Sequence, residues 1–217
     1  PSLQPFLLSL LSTLLKALVV ITALGVLGVE MTSFTALIAT AGLAFGMALS
    51  GTLQNFAGGV IVLIFKPYEA GDVIDAQGYI GTVKSIKIFS TILNTADNKV
   101  VIIPNGPIST GSLVNFSKED TRRVDWTIGI GYGDDYDKAK SVLMGFIKDD
   151  KRILTTPEPF IALGALADSS VNLTVRVWVN PADYWGVFFD MNEKVYKNFE
   201  KEGLNIPFPQ MDVHVHK

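Results

Sequence analysis

The chain of 217 residues has no cysteine, which removes disulfides, thiolate metal sites and cysteine nucleophiles together. Charge is nearly missing from its first 65 residues, where only Lys16 and Glu30 ionise. A basic excess is missing too: the net charge is −3 and the pI about 5.4. Nucleic-acid binding rests on clustered Lys and Arg, so no nucleic-acid partner is expected. There is no internal repeat and no low-complexity tract. No Ser/His/Asp arrangement and no phosphate-binding G-x-x-x-x-G-K-[ST] loop occurs; "GIGYGDD" (129–135) has the wrong glycine spacing, ends in carboxylates and reads as a strand-to-helix turn. The only histidines, His214 and His216, alternate with Val213 and Val215 near the end. They would ligate a metal only if copies of the chain brought them together, so a solvated terminal strand is the preferred reading. No enzyme activity, cofactor or metal is expected.

What the chain has instead is apolar length. Mean hydropathy is +0.34 and 48% of residues are hydrophobic, and the excess lies before Lys66. A signal peptide fits poorly: there is no basic leader, the apolar run is too long, and a second follows. The chain starts at Pro1 rather than Met, as a processed or truncated product would. The first run, 6–29, is about 36 Å long as a helix and spans a bilayer. The second, 34–65, would be about 48 Å if straight, more than a ~30 Å core needs. It therefore tilts or bends. Gly51, beside Ser50 and before Gln54-Asn55, is the expected break, with 34–50 crossing the membrane and 52–65 turning along its interface.

At 100° per residue the spanning half resolves into stripes. Gly42, Gly46 and Ser50 form one small-residue stripe and Ala44 and Ala48 another. A narrow ridge of Leu43 and Met47 lies between them, while Ile38, Phe45 and Leu49 collect elsewhere. Small-xxx-small stripes let helices approach closely in lipid. Two flanking stripes suit a helix gripped on both sides by copies of itself, closing a ring with Leu43 and Met47 at its constriction. A GxxxG dimer without a pore is the plainer alternative. Lys16 lies mid-span, either in a crevice or snorkelling to a lipid headgroup. Lys66, Lys84 and Lys87 follow the second span and orient the globular part to the cytoplasm.

After Lys66, short β-rich segments (72–76, 79–88, 91–95, 100–103, 112–116) separated by turn residues read as a small barrel or sandwich over 66–118. Strand 123–130, helix 136–148, strands 160–166 and 171–180, helix 183–202 and strand 211–216 then give the βαββαβ, ferredoxin-like order. Asp135 and Asp183 are candidate N-caps, and Gly203 a C-terminal stop.

Four motifs, "GLAFGMALSGTLQNFAGGVIVLIFKPYEAGD" (42–72), "GTVKSIKIFSTILNTADNKVVIIPNGPI" (81–108), "NFS" (115–117) and "PQMDV" (209–213), make the chain resemble the family of mechanosensitive channels of small conductance (MscS). The resemblance covers essentially all of it. It implies a membrane α-helical pore segment (1–65), then a cytoplasmic Sm-like β domain (66–118) and a ferredoxin-like α+β domain (119–208). A terminal strand (209–217) would join an intersubunit β-barrel. The assembly implied is a homoheptamer in the bacterial cytoplasmic membrane, multi-pass, with membrane lipids as neighbours. Its function would be tension-gated, weakly selective release of ions and small osmolytes on hypo-osmotic shock. Gly51 and Gly59 would be hinges, and Asn55 would meet the 104–107 turn around Gly106. The family's first helix would lie upstream of Pro1. Met47 departs from the second leucine ring common in the family, and the tail is short. The rivals are a non-conducting membrane-anchored scaffold or sensor and, from the Sm-like barrel, an RNA-binding module, against which the missing basic patch weighs.

Overall fold

The computed structural model describes residues 3–28 and 30–215; His216 lies outside the described residues. Chain contacts divide it into two units: residues 1–66, 86–92 and 102–111, and residues 67–85, 93–101 and 112–217.

In the first unit, α1 (Leu3–Val26) is the helix expected over 6–29. Helix α2 (Thr32–Phe65) is 34 residues long and hydrogen-bonded through Gly51 without interruption. One helical glycine costs only about 1 kcal/mol, which good formers such as Ala48, Leu49 and Leu53 outweigh. The stop is at Lys66, in the left-handed conformation (φ 47) with its N–H on Val62 O, followed by a proline that cannot continue the ladder. A short helix, α3 (Asn105–Thr110), replaces the simple turn expected at 104–107. Pro107 falls in its first turn, where a missing N–H is harmless.

The β domain has strands β1 (Val73–Ala76), β2 (Tyr79–Ile86), β3 (Ser90–Asn94), β4 (Val100–Pro104) and β5 (Leu113–Asn115), in sheet order β4-β3-β2-β1-β5. β1 and β2 form an antiparallel hairpin closed by Gln77 and Gly78, both at positive φ, the mirror-image turn that suits strand twist.

Within the second unit, β6 (Arg122–Ile130), α4 (Tyr136–Lys148), β7 (Phe160–Leu166), β8 (Val171–Val179) and α5 (Tyr184–Asn198) form a three-stranded antiparallel sheet, β6-β8-β7. β8 lies between the two strands that α4 connects, the split arrangement expected for this element order. Alternate sheet residues (Val124, Trp126, Ile128; Leu173, Val175, Val177) pack with Leu143 of α4 and Val187 and Met191 of α5 into one core. "GIGYGDD" is a strand-to-helix turn, and Asp135 caps α4 by accepting from the N–H groups of Asp137 and Lys138. Asp183 departs from expectation. It makes no side-chain cap, because a 3₁₀ turn, Pro181–Asp183, leads directly into α5. Gly203 is left-handed (φ 68) as a stop requires.

The sixth element of βαββαβ is not part of this sheet. Residues 204–215 carry no ladder, and Pro207 and Pro209, which lack an N–H, separate the expected strand at 211–216 from the α+β core.

Arg152 donates to both carboxylate oxygens of Asp150 (2.9 and 2.6 Å) and to Asp190 (2.6 Å). The hydrogen bonds from Arg152 hold the Asp150 carboxyl below the usual carboxylate range. A depressed carboxyl stabilises the fold above its unfolded value, about 3.9, and the contribution is lost as pH falls through the folded value. Arg152→Met therefore lowers the melting temperature at pH 7, by the equivalent of at most about 1 kcal/mol because the pair is partly solvated. Melts at decreasing pH should show the gap to wild type closing below about pH 4.

Candidate pore segment and its anchor

Every residue from Thr32 to Gln54 is exposed along α2. Leu43 and Met47 are each 64% exposed, with Phe45 at 70% and Leu49 at 53%. A Cβ added at Gly42, Gly46 or Gly51 would meet nothing within 4 Å. Ala44 and Ala48 are exposed as well. Among the described residues, the ridge and seam positions all stay exposed. Their hydroxyl neighbours are satisfied within the helix: Ser50 donates to Met47 O at 2.9 Å and Thr40 to Ala36 O at 2.8 Å, as apolar surroundings demand. Lys16 is exposed on α1. Among the described residues, Thr32–Phe65 is the one helix with the length and apolarity to cross a membrane, the apolar part of α1, Leu11–Val26, being shorter.

The last turns of α2 are different. Asn55 Oδ1 accepts from the Gly106 N–H at 2.9 Å, so the structure brings Asn55 and Gly106 together. The residue at the start of α3, Pro104, supplies no side-chain cap. Asn55 fills that role from another helix, satisfying one of the N–H groups that every helix start leaves open. Gly58 and Gly59 are buried. A Cβ at Gly58 would sit 2.5 Å from Asn105 O, and one at Gly59 2.2 Å from Ile88 O. Both are glycine because backbone passes where a side chain would be. Asn105, itself fully buried, donates to Lys87 O (2.8 Å) and Ile88 O (3.1 Å) and accepts from Thr91 Oγ1 (2.9 Å). Phe56 meets Phe89 with ring centroids 6.2 Å apart. The half of α2 that was read as interfacial is thus anchored within its unit by Asn55, Phe56, Gly58 and Gly59.

Gly58 and Asn105 escaped the sequence reading as site residues. The doublet Gly58-Gly59 was the available signal, since two adjacent helical glycines cost about 2 kcal/mol against alanine and persist only for close packing. Asn105 gave no signal, because its partners are carbonyls of a distant turn.

Two family profiles match: the β-domain of mechanosensitive ion channels over residues 51–118, and the C-terminal part of the mechanosensitive ion channel MscS over 124–206. The small-conductance mechanosensitive channel of Edwardsiella ictaluri (strain 93-146) is 46% identical over 212 residues, covering 98% of this chain and 74% of that protein. The chain belongs to the MscS family. An uncharacterised MscS family protein of Synechocystis sp. is 40% identical over 202 residues, covering 93% of this chain and 68% of its own length. The crystal structure of Helicobacter pylori MscS in its closed state superposes with a TM-score of 0.89 at 28% identity, over 98% of this chain and 85% of that one. Arabidopsis thaliana MSL1 (TM-score 0.75, 21% identity, 91% of this chain and 74% of that chain) shares the fold. MscS membership makes the chain a membrane protein of the mechanosensitive ion-channel class, which is not an enzyme class, with a helical segment followed by β and α+β domains.

Proposed function

We propose that this MscS-family chain is one subunit of a homoheptameric channel opened by bilayer tension. In this reading it releases ions and small osmolytes with weak selectivity on hypo-osmotic shock, from a multi-pass position in a bacterial cytoplasmic membrane. The observation that carries it is the exposed length of α2 from Thr32 to Gln54, apolar and striped with small residues, where an added Cβ at Gly42, Gly46 or Gly51 would meet nothing within 4 Å among the described residues. Copies packed through Gly42, Gly46 and Ser50 on one side and Ala44 and Ala48 on the other close a ring. Leu43 and Met47 then form apolar collars that stop ions by excluding water. Tension favours whichever state occupies more membrane area. Sliding along the seams, with Gly51 as the compliant point, carries the collars off the axis. Lys16 meets lipid headgroups. The terminal residues Met211, Val213 and Val215, all highly exposed, form one face of a strand shared among copies.

Seven copies of 23.5 kDa total about 165 kDa. Light scattering of the detergent-solubilised protein, corrected for bound detergent, should return that mass. A dimer would remove the pore and leave a membrane-anchored scaffold.

A further inference from the structure

The second unit holds a polar bracket where the chain leaves α2. Asn115, at the end of β5, uses its whole amide. Its Nδ2 donates to Pro67 O at 3.2 Å and to Asp72 Oδ2 at 2.9 Å. Its Oδ1 accepts from the N–H groups of Ser117 (2.8 Å) and Lys118 (3.0 Å). An asparagine side chain has two donor hydrogens and two acceptor lone pairs, and all four are engaged. The partners are tied down in turn. Asp72 Oδ2 also accepts from the Glu69 N–H at 2.9 Å, Ser117 Oγ accepts from Val73 N–H at 3.0 Å, and Phe116 N–H donates to Val73 O at 2.9 Å. Ile74 pairs with Asn115 in the β1–β5 ladder. Pro67 directly follows Lys66, the left-handed stop of α2, while Ser117 and Lys118 lead into the segment before β6.

We propose that Asn115 is a positioning residue for gating: it fastens the chain leaving the pore helix to the chain starting the α+β domain. Motion of the end of α2 is then resisted by the mass of that domain rather than by a loose linker. No other side chain of its size both donates toward Pro67 and Asp72 and accepts from Ser117 and Lys118. The inference rests on the tension-gated reading above and extends it to a residue outside the membrane.

The test exploits the polarity of the pair. Asn115→Asp keeps the size and the acceptor side, but turns oxygen lone pairs toward the Asp72 carboxylate and the Pro67 carbonyl. Asp72 Oδ2 accepts from both Glu69 N–H and Asn115 Nδ2, so Asp72→Asn keeps both bonds with its amide oxygen in that place, and opposite Asn115→Asp it can instead turn its amide nitrogen toward position 115 at the cost of the bond from Glu69. Wild type, each single variant and the double variant are reconstituted as full chains and patched under suction, after light scattering has checked their mass. Asn115→Asp should open at lower tension than wild type with unchanged unitary conductance, Asp72→Asn should stay near wild type, and the double variant should return part of the way to the wild-type threshold. If Asn115→Asp does not assemble, recovery of assembly in the double variant supports the pairing, and its absence overturns it. A wild-type threshold in Asn115→Asp overturns the proposal, as does a double variant shifted as far as Asn115→Asp alone. A wild-type protein silent under suction would instead refute the gating reading itself, so the two failures are separable.

Discussion

Leu43→Ser and Met47→Ser channels should open at lower suction than wild type and leak at rest, and cells expressing them should grow poorly. Each side chain occurs once per chain but once per subunit in the ring, so each substitution rebuilds a whole collar. Leu→Ser removes roughly 2 kcal/mol of apolar transfer preference per chain. An apolar constriction blocks ions because water does not persist in it, and a ring of hydroxyls lets water stay. Leu49 is the control. It is as apolar as Leu43 and similarly uncovered, at 53% against 64%, but lies off the ridge on the helical wheel. Leu49→Ser should shift the threshold much less. Indistinguishable thresholds for Leu43→Ser and Leu49→Ser would put the pore axis on another face of α2.

Gly59→Ala should lower the thermal stability of the protein, whereas Gly51→Ala should not, although both replace a glycine in the same helix. In an open helix, alanine is favoured over glycine by about 1 kcal/mol. That is the whole effect at Gly51, where an added Cβ meets nothing within 4 Å. At Gly59 the same Cβ would lie 2.2 Å from Ile88 O and 2.7 Å from Asn105 Nδ2. Because the first of these is backbone, the turn carrying it has to move, and Asn105 risks its bonds to Lys87 and Ile88. Overpacking of this kind costs about 1–3 kcal/mol and outweighs the gain in helix preference. Parallel melts should therefore order as Gly59→Ala below wild type, with Gly51→Ala at or above it. In recordings, if Gly51 is the compliant point proposed above, Gly51→Ala stiffens it in every subunit and should change current decay under sustained tension. An unchanged decay would move that point elsewhere in α2.

The particular residues explain how much of this was legible beforehand. Apolar length is a property of one helix, so the long exposed α2 could be read from its own residues alone. Turn chemistry is equally local: Gln77-Gly78, Asp135 and Gly203 act where the sequence placed them. The misses are non-local or depend on a balance of small terms. At Gly51, where glycine next to serine disfavours helix, the hydrogen-bonded ladder of α2 runs on because the neighbours favour helix by more; a bend there belongs to the proposed gating. Asp183 looked like a cap, and the proline two residues before it organised a 3₁₀ turn instead. The end of the chain alternates like a strand, and its described residues, 211–215, are unpaired within one chain; a strand shared among copies belongs to the proposed assembly. Gly58, Gly59 and Asn105 owe their identities to a backbone approach between α2, α3 and the turn at 87–89. Such proximity is not written in any one segment. The contact of Asn55 with Gly106 was anticipated from the resemblance, not from periodicity.

Whether α2 lines a pore that tension opens is decided by excised-patch recording of the purified full chain in liposomes, with suction ramped at constant voltage. Discrete conductance steps should be absent at rest, appear above a reproducible membrane tension and show weak ion preference. Silence up to the tension that ruptures the patch, from protein whose mass is that of the ring, would rule the pore out and leave a scaffold in its place.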